Sequence, residues 1–314
     1  MTTFLHICGG ILGLVLLYYG AEWLVAGGVT IARRLKISPL VIGLTLVAFG
    51  TSAPELVVSI SASLSCHGDV SIGNVVGSNI CNIALILGLC AVVSPLVVNP
   101  KLFRLDMPVL LGASLLMTGF YRMSGGITRW QGSILFFCLL IYTGWLICKG
   151  RKEEQPPEES SPEASSRGIP LSLLMVGGGL AALVCGGNFF VDSAVHIARL
   201  CSVPEAVIGL TVVAVGTSLP ELATSLVAAF RKETDIAIGN VVGSNIFNLL
   251  SILGITPIIS PISAPGISMI DLGVMLFLVV ILFPIMRTGY SISRREGLLL
   301  TAIYIAYTVW LVIG

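Results

Sequence analysis

Two glutamates occupy positions where a charge is costly. Glu55 is the penultimate residue of the segment GLTLVAFGTSAPEL that starts at Gly43, and Glu221 that of GLTVVAVGTSLPEL from Gly209; apolar residues flank both. A charged side chain at the centre of a bilayer costs about 2.5 kcal/mol or more, so such residues are functional by default. No Lys or Arg lies beside either one in the sequence. The glutamates end matched clusters, Gly50, Thr51, Ser52, Pro54, Glu55 and Gly216, Thr217, Ser218, Pro220, Glu221. Proline removes a backbone donor and glycine loosens the same turn. A helix should break or kink there, freeing carbonyls such as those of Ala48 and Ala214, which a membrane tolerates only beside a cavity or an ion.

A second cluster follows each glutamate: GNVVGSNICN, with Asn74, Ser78, Asn79 and Asn82, and GNVVGSNIFN, with Asn240, Ser244, Asn245 and Asn248. Ser78 and Asn82 are four apart and share a helix face, as do Ser244 and Asn248. Gly73, Gly77, Gly239 and Gly243 form small-xxx-small rows that let a second helix approach closely. Carboxylate, hydroxyl, amide and carbonyl oxygens are hard ligands that suit Ca²⁺, which takes six to eight of them. No soft ligand set for a transition metal is present. Two carboxylates facing one another would repel, and a bound cation resolves this; their formal charge of −2 matches one Ca²⁺ or two Na⁺.

The elements that position these residues are written twice. The offset from Gly43 to Gly209 and from Ser71 to Ala237 is 166, and 29 of 48 positions match without a gap between Val41–Gly88 and Val207–Gly254. The chain of 314 residues is 55% hydrophobic and 11% charged, with a mean hydropathy of +1.00. Soluble domains carry about 25% charged residues, so the surrounding solvent is lipid. Long continuous apolar runs favour helices over a barrel. Five spans are expected in each half, at about 4–32, 38–64, 70–98, 105–122 and 128–149, then 169–199, 204–230, 236–259, 268–287 and 293–313. The first apolar stretch lacks a basic lead and reads as a mature helix, not a signal peptide. The reading is an all-α integral membrane protein of ten transmembrane helices, two inverted five-helix repeats (1–149 and 169–314) joined by a linker at 150–168 too rich in Pro, Ser and Glu to span.

Lys and Arg in alternating connections divide fourteen to three. The positive-inside rule then puts the linker in the cytoplasm and both termini outside the cell membrane. An odd number of spans per repeat inverts the second copy, a hallmark of secondary transporters with a site at midplane. The eight cysteines form no CxxC and read as packing residues. No basic run suggests nucleic acid, no cofactor is implied, and the sequence leaves the oligomeric state open, a monomer included. Glu22 and Asp192 are further candidates for buried charge, at non-equivalent positions, for gating or structure.

At these motifs the chain resembles the calcium/cation antiporter superfamily, and prokaryotic sodium/calcium exchangers in particular; GTSxPE and GNxxGSNIxN look like that family's alpha-repeats. The resemblance implies ion sites at midplane between the second, third, seventh and eighth helices, with Glu55 and Glu221 as shared central ligands. It implies that Thr51 and Thr217 offer backbone carbonyls to Ca²⁺. Ser52, Ser218, Ser78, Ser244 and the carbonyls of Ala48 and Ala214 would line sodium sites, and Asn82 would face the centre. Asn248 departs from members with Asp there, potassium-dependent exchangers characteristically; it leaves Asn82 opposite Asn248 and puts potassium coupling in doubt. The resemblance also implies that the first and sixth helices slide across the rest. The expected activity is exchange of Na⁺ for Ca²⁺ by alternating access. The alternatives are a Ca²⁺/H⁺ antiporter, a cation channel, and an intramembrane enzyme, for which there is no HExxH and no His or Lys beside the embedded serines.

Overall fold

A computed structural model describes residues 2–150, 168–201 and 214–313. The linker expected at 150–168 and the start of the span expected at 204–230 fall largely outside the described residues. Twelve helical segments are described: α1 Thr2–Leu35, α2 Pro39–Thr51, α3 Ala53–Leu64, α4 Gly68–Val93, α5 Leu102–Ser124, α6 Arg129–Gly150, α7 Ile169–Leu200, α8 Ala214–Thr217, α9 Leu219–Phe230, α10 Thr234–Ile259, α11 Met269–Arg287 and α12 Arg294–Ile313. Among the described residues six are long and apolar enough to cross a membrane, and seven if the bent pair α2 and α3 is one span. Large apolar side chains stand exposed on the outer helices, Phe4, Phe137 and Leu174 among them. That surface is stable only against lipid, so the chain is a multi-pass membrane protein.

The span expected at 38–64 is broken as its proline and glycine suggested. α2 and α3 meet at 44°. The hinge is Ser52, at φ −84° and ψ 5°, and its mate Ser218 has φ −89° and ψ 9°. Each is followed by a proline in the first turn of the next helix, where the missing N–H costs nothing. The freed carbonyl differs from the one expected. Ala48 O still accepts the Ser52 N–H at 3.0 Å and the Thr51 hydroxyl at 3.4 Å. Pro54 withholds its donor from Gly50, four residues back, and not from Ala48. In the second half the Ser218 N–H turns to Val215 O at 3.1 Å, one residue short of Ala214.

The span expected to run to residue 98 stops at Val93, before Ser94-Pro95, because the residue before a proline is pushed toward extended backbone. Ser94 has φ −141° and ψ 121°. Four short strands follow from such breaks, against the all-helical expectation: β1 Leu96–Val97, β2 Gly126–Ile127, β3 Ile262–Ser263 and β4 Ser291–Ile292. They pair crosswise and antiparallel, β1 with β4 and β2 with β3. Flanking bonds repeat the pattern, Val98 N–H to Tyr290 O at 2.8 Å and Ala264 N–H to Gly125 O at 3.0 Å. The two ribbons lie at opposite ends of α5, so each half contributes one strand to each end of the bundle. Gly125 ends α5 at φ +61°, a left-handed turn that suits glycine.

The centre of the bundle is α10, whose most apolar stretch is wholly buried, and α4, mostly buried. Both widen into π turns, Cys81–Ile86 in α4 and Asn248–Ile252 in α10, a feature frequent at functional sites. Of the two glycine rows expected to let a helix approach, only Gly239 and Gly243 do so; a Cβ at Gly77 would meet nothing within 4 Å and one at Gly73 only Ile267 Cδ1 at 3.5 Å, because that row faces a cavity. A Cβ added at Gly243 would lie 2.7 Å from Leu44 Cα, and one at Gly239 would lie 3.0 Å from Leu40 O. α1 and α7 run antiparallel along a seam of small residues seven apart. Added Cβ atoms on Gly13, Gly20 and Gly27 would meet the carbonyls of Gly186, Gly179 and Ser172 at 2.7, 2.9 and 2.8 Å.

Candidate functional site

The breaks in α2–α3 and α8–α9 bring the two halves' clusters face to face. Glu55 is 0% and Glu221 1% exposed. Their contacts cross between halves: Ser52 Oγ–H donates to Glu221 Oε1 at 2.8 Å, and Ser218 Oγ–H donates to Glu55 Oε1 at 3.4 Å. A serine one turn before each glutamate therefore serves the other one. Among the described residues neither glutamate has an ion-pair partner.

The second clusters close around them. Asn74 Nδ2 donates to Glu55 O at 3.2 Å and Ser59 Oγ at 3.0 Å. Its mate Asn240 donates to Glu221 O at 3.4 Å and Ser225 Oγ at 2.9 Å. The Thr51 hydroxyl also reaches Asn240 Oδ1, at 3.3 Å. Asn82 Nδ2 donates to Asn245 Oδ1 at 3.3 Å, and Asn248 Nδ2 to Ser78 Oγ at 3.4 Å. Ser78 Oγ–H in turn donates to Asn74 O at 2.5 Å. The Asn74, Asn240, Asn82 and Asn248 amides and the Ser78 hydroxyl thus spend their protons on backbone or on a neighbour, whereas Asn245 Nδ2 is buried without a partner.

What remains, beside that one amide donor, is a set of oxygens. Glu55 Oε2, Glu221 Oε2, Asn82 Oδ1, Asn248 Oδ1 and Ser244 Oγ are buried with no hydrogen-bond partner. Leaving one buried acceptor unsatisfied costs about 1–3 kcal/mol. Four of the five fall into two mated pairs, one of each pair from either half, so the cost is repeated by design. Acceptors without donors are suited to a cation. Among the described residues no group of three His, Cys, Asp or Glu forms a metal cluster, so any cation here would rely on amide, hydroxyl and carbonyl oxygens beside two carboxylates.

Of the residues singled out from sequence, Glu55, Glu221, Ser52, Ser218, Ser78, Asn82 and Asn248 join through these contacts, and Ser244 is buried among them. Thr217 lines two cavities. One, about 340 Å³, lies between α3, α7 and α9 and is lined by Pro54, Asn188, Asp192, Gly216 and Pro220 as well. The other, about 380 Å³, runs along α4, α11 and α12 past Asn74 and Ser78. Both occupy the half of the bundle toward the β2–β3 end. Ala48 packs on the α10 seam, where a Cβ at Gly243 would lie 2.9 Å from its own, and Ala214 opens α8. Asp192 lines the first cavity, whereas Glu22 pairs with Arg231, tying α1 to the end of α9. Sequence reasoning missed Ser59 and Ser225. The signal was available: they are 166 apart, four residues after each glutamate.

Comparison with known proteins agrees with this geometry. The family model described as "Sodium/calcium exchanger protein" matches residues 5–148 and 171–313. The chain is 36% identical over 310 residues to the inner membrane protein YrbG of Escherichia coli K12, covering 96% of this chain and 94% of that one. It is 34% identical to the sodium/calcium exchanger MaX1 of Methanosarcina acetivorans, covering 95% and 96%. Its structure is similar to that of the sodium-calcium exchanger NCX_Mj soaked with zero Na⁺ and Ca²⁺, with a TM-score of 0.85, 34% identity and coverage of 98% and 99%. The chain, a membrane-embedded cation exchanger, belongs to the sodium/calcium exchanger family.

Proposed function

We propose that this protein exchanges Na⁺ for Ca²⁺ across the cell membrane by alternating access, with ten spans arranged as two inverted repeats. The crosswise ribbons and the reciprocal Ser52–Glu221 and Ser218–Glu55 contacts are what a two-fold axis in the membrane plane requires. The observation that carries the reading is the set of mated, partnerless oxygens around two buried carboxylates. In this reading Glu55 and Glu221 are shared, so Na⁺ and Ca²⁺ exclude one another. Asn82 and Asn248 supply amide oxygens and Thr51 and Thr217 backbone carbonyls. Ser52, Ser218, Ser78 and Ser244 line sodium positions with the Ala214 carbonyl; that of Ala48, which keeps its helical bond, is the weaker ligand. Relatives support the choice of ions, since NCX_Mj was studied after soaking in Na⁺ with Ca²⁺ or Sr²⁺.

In this reading, which the charge count of the loops supports, the β1–β4 end faces the cytoplasm with the linker, and the β2–β3 end faces outside with both termini. Both cavities then lie on the outer side, as in an outward-facing carrier. The Glu22–Arg231 ion pair lies toward the inner end of the α1–α9 contact and holds that side shut. The paired seam of α1 and α7 is the surface able to slide over the core.

The test is Ca²⁺ uptake into proteoliposomes under imposed Na⁺, K⁺ or H⁺ gradients. An outward Na⁺ gradient should drive uptake, and K⁺ should have no effect. Uptake driven by pH and indifferent to Na⁺ would replace this reading with Ca²⁺/H⁺ antiport. Currents with no counter-ion requirement would replace it with a channel.

A further inference from the structure

A second duplicated pair lies away from the central oxygens. Tyr142 O–H donates to Asp106 Oδ1 at 2.8 Å, and Tyr307 O–H donates to Asp271 Oδ1 at 2.7 Å. The aspartate and tyrosine are 36 residues apart in both halves, and the two pairs are 165 residues apart from each other. Each joins an aspartate near the start of a span, α5 or α11, to the helix that follows it in the chain, α6 or α12.

Helix capping does not explain the repetition. Asp271 belongs to a capping box with Ser268, whose N–H it accepts at 3.3 Å. Asp106 makes no side-chain capping bond. What the two share is a carboxylate held by a tyrosine hydroxyl. Their surroundings differ. Asp106 is 3% exposed and stays behind Tyr142, which lines a mostly apolar cavity of about 510 Å³ together with Arg104, whereas Asp271 and Tyr307 both line the cavity of about 380 Å³ that also touches Asn74, Ser78 and Thr217. Asp271 is the one carboxylate among that cavity's lining residues, and no Lys or Arg lines it. A cation moving from the β2–β3 end toward Ser78 passes this charge within an otherwise neutral wall.

We propose that Asp271 is a way-station for Ca²⁺ entering from the β2–β3 face, held in place by Tyr307, and that Asp106 with Tyr142 is its counterpart for the opposite face. One is open and the other shut in this conformation, and they trade places when the cavity changes sides. The proposal rests on the exchange reading and adds a binding position outside the central cage.

Asp271→Asn keeps an Oδ1 acceptor for the Tyr307 hydroxyl but puts an amide nitrogen where Oδ2 accepts from the Ser268 N–H, so it removes the charge and one capping bond. Ser268→Ala, which disturbs the cap and leaves the charge, is the control that should leave the Ca²⁺ dependence unchanged. The half-saturating Ca²⁺ concentration is measured on each face in oriented vesicles. In Asp271→Asn it should rise on the β2–β3 face by about five- to thirtyfold, the worth of one contact to a mono- or divalent cation in water, and stay unchanged on the other. Asp106→Asn should give the mirror image. Equal shifts on both faces, or none, with wild-type flux intact, overturn the proposal. Absence of Na⁺-driven flux in the wild type would instead count against exchange itself. A readout independent of flux is Tb³⁺ emission on tyrosine excitation. It should persist in Glu55→Gln and vanish in Asp271→Asn and in Tyr307→Phe; emission unaffected by the Asp271 change overturns the way-station as well.

Discussion

Replacing one glutamate with glutamine separates an ion-binding carboxylate from a structural one, because the two roles predict opposite effects on stability. Glu221→Gln keeps an Oε1 acceptor for the Ser52 hydroxyl, 2.8 Å away, and loses the charge. With the partner glutamate 0% exposed and Glu221 itself 1% exposed, removing one member of a buried charge set costs the bound state about 3–5 kcal/mol. At 1.4 kcal/mol per decade, Ca²⁺ affinity falls roughly a hundred- to several-thousandfold. The assay is a thermal melt of purified protein with chelator and with Ca²⁺ at a hundred times the wild-type Kd. The wild type should gain about 2.7 kcal/mol from the ion, and the variant less than about 0.5 kcal/mol. Without ion the order reverses, since the variant no longer buries two carboxylates beside each other, and it should melt at or above the wild type. Glu55→Gln should behave alike, and neither variant should exchange ions. A variant that melts lower in chelator yet keeps the full Ca²⁺ shift would refute the reasoning.

Three further outcomes follow from the same structure. Gly243→Ala would place a Cβ 2.7 Å from Leu44 Cα, where backbone cannot yield, and should lower stability by about 1–3 kcal/mol; Gly119→Ala, with nothing within 4 Å, should change the melt by no more than about 1 kcal/mol. Glu22→Gln breaks the pair with Arg231, whose side chain is 44% exposed, so the cost is limited to about 0.2–1 kcal/mol. Exchange at saturating ions should change by at most a fewfold, and sided cysteine labelling should report more opening at the β1–β4 end. Asn248→Asp puts a charge where a partnerless oxygen already lies and should tighten Ca²⁺ binding by about tenfold or more, as ligand charge does elsewhere, read by titration calorimetry.

Much of the site was legible because the duplication is exact in register from Val41 to Gly88 and their mates. A constant offset converts each polar residue into a pair, and pairs of buried polar residues need a shared purpose. What the offset does not carry is distance. That Ser52 serves Glu221 instead of its own Glu55 depends on how the halves dock, which no local pattern encodes. The hinge at Ser52 was readable from Pro54, but the carbonyl it frees was misassigned by two residues, because a proline's missing donor acts four positions back. The ribbons escaped notice because a two-residue strand has no period to detect. The Asp–Tyr pairs escaped because the second half is one residue shorter between its motifs and α11, so the offset there is 165.

The crosswise ribbons have a bearing on assembly. Each joins one strand from either half, so neither half, standing alone, can satisfy the backbone at its ends. Either half by itself would present two bare strand edges, one at each end of the bundle. Covering both edges takes the other half, whether or not a linker joins the two. By the same logic, cutting the present chain within the linker should leave two fragments that still find each other.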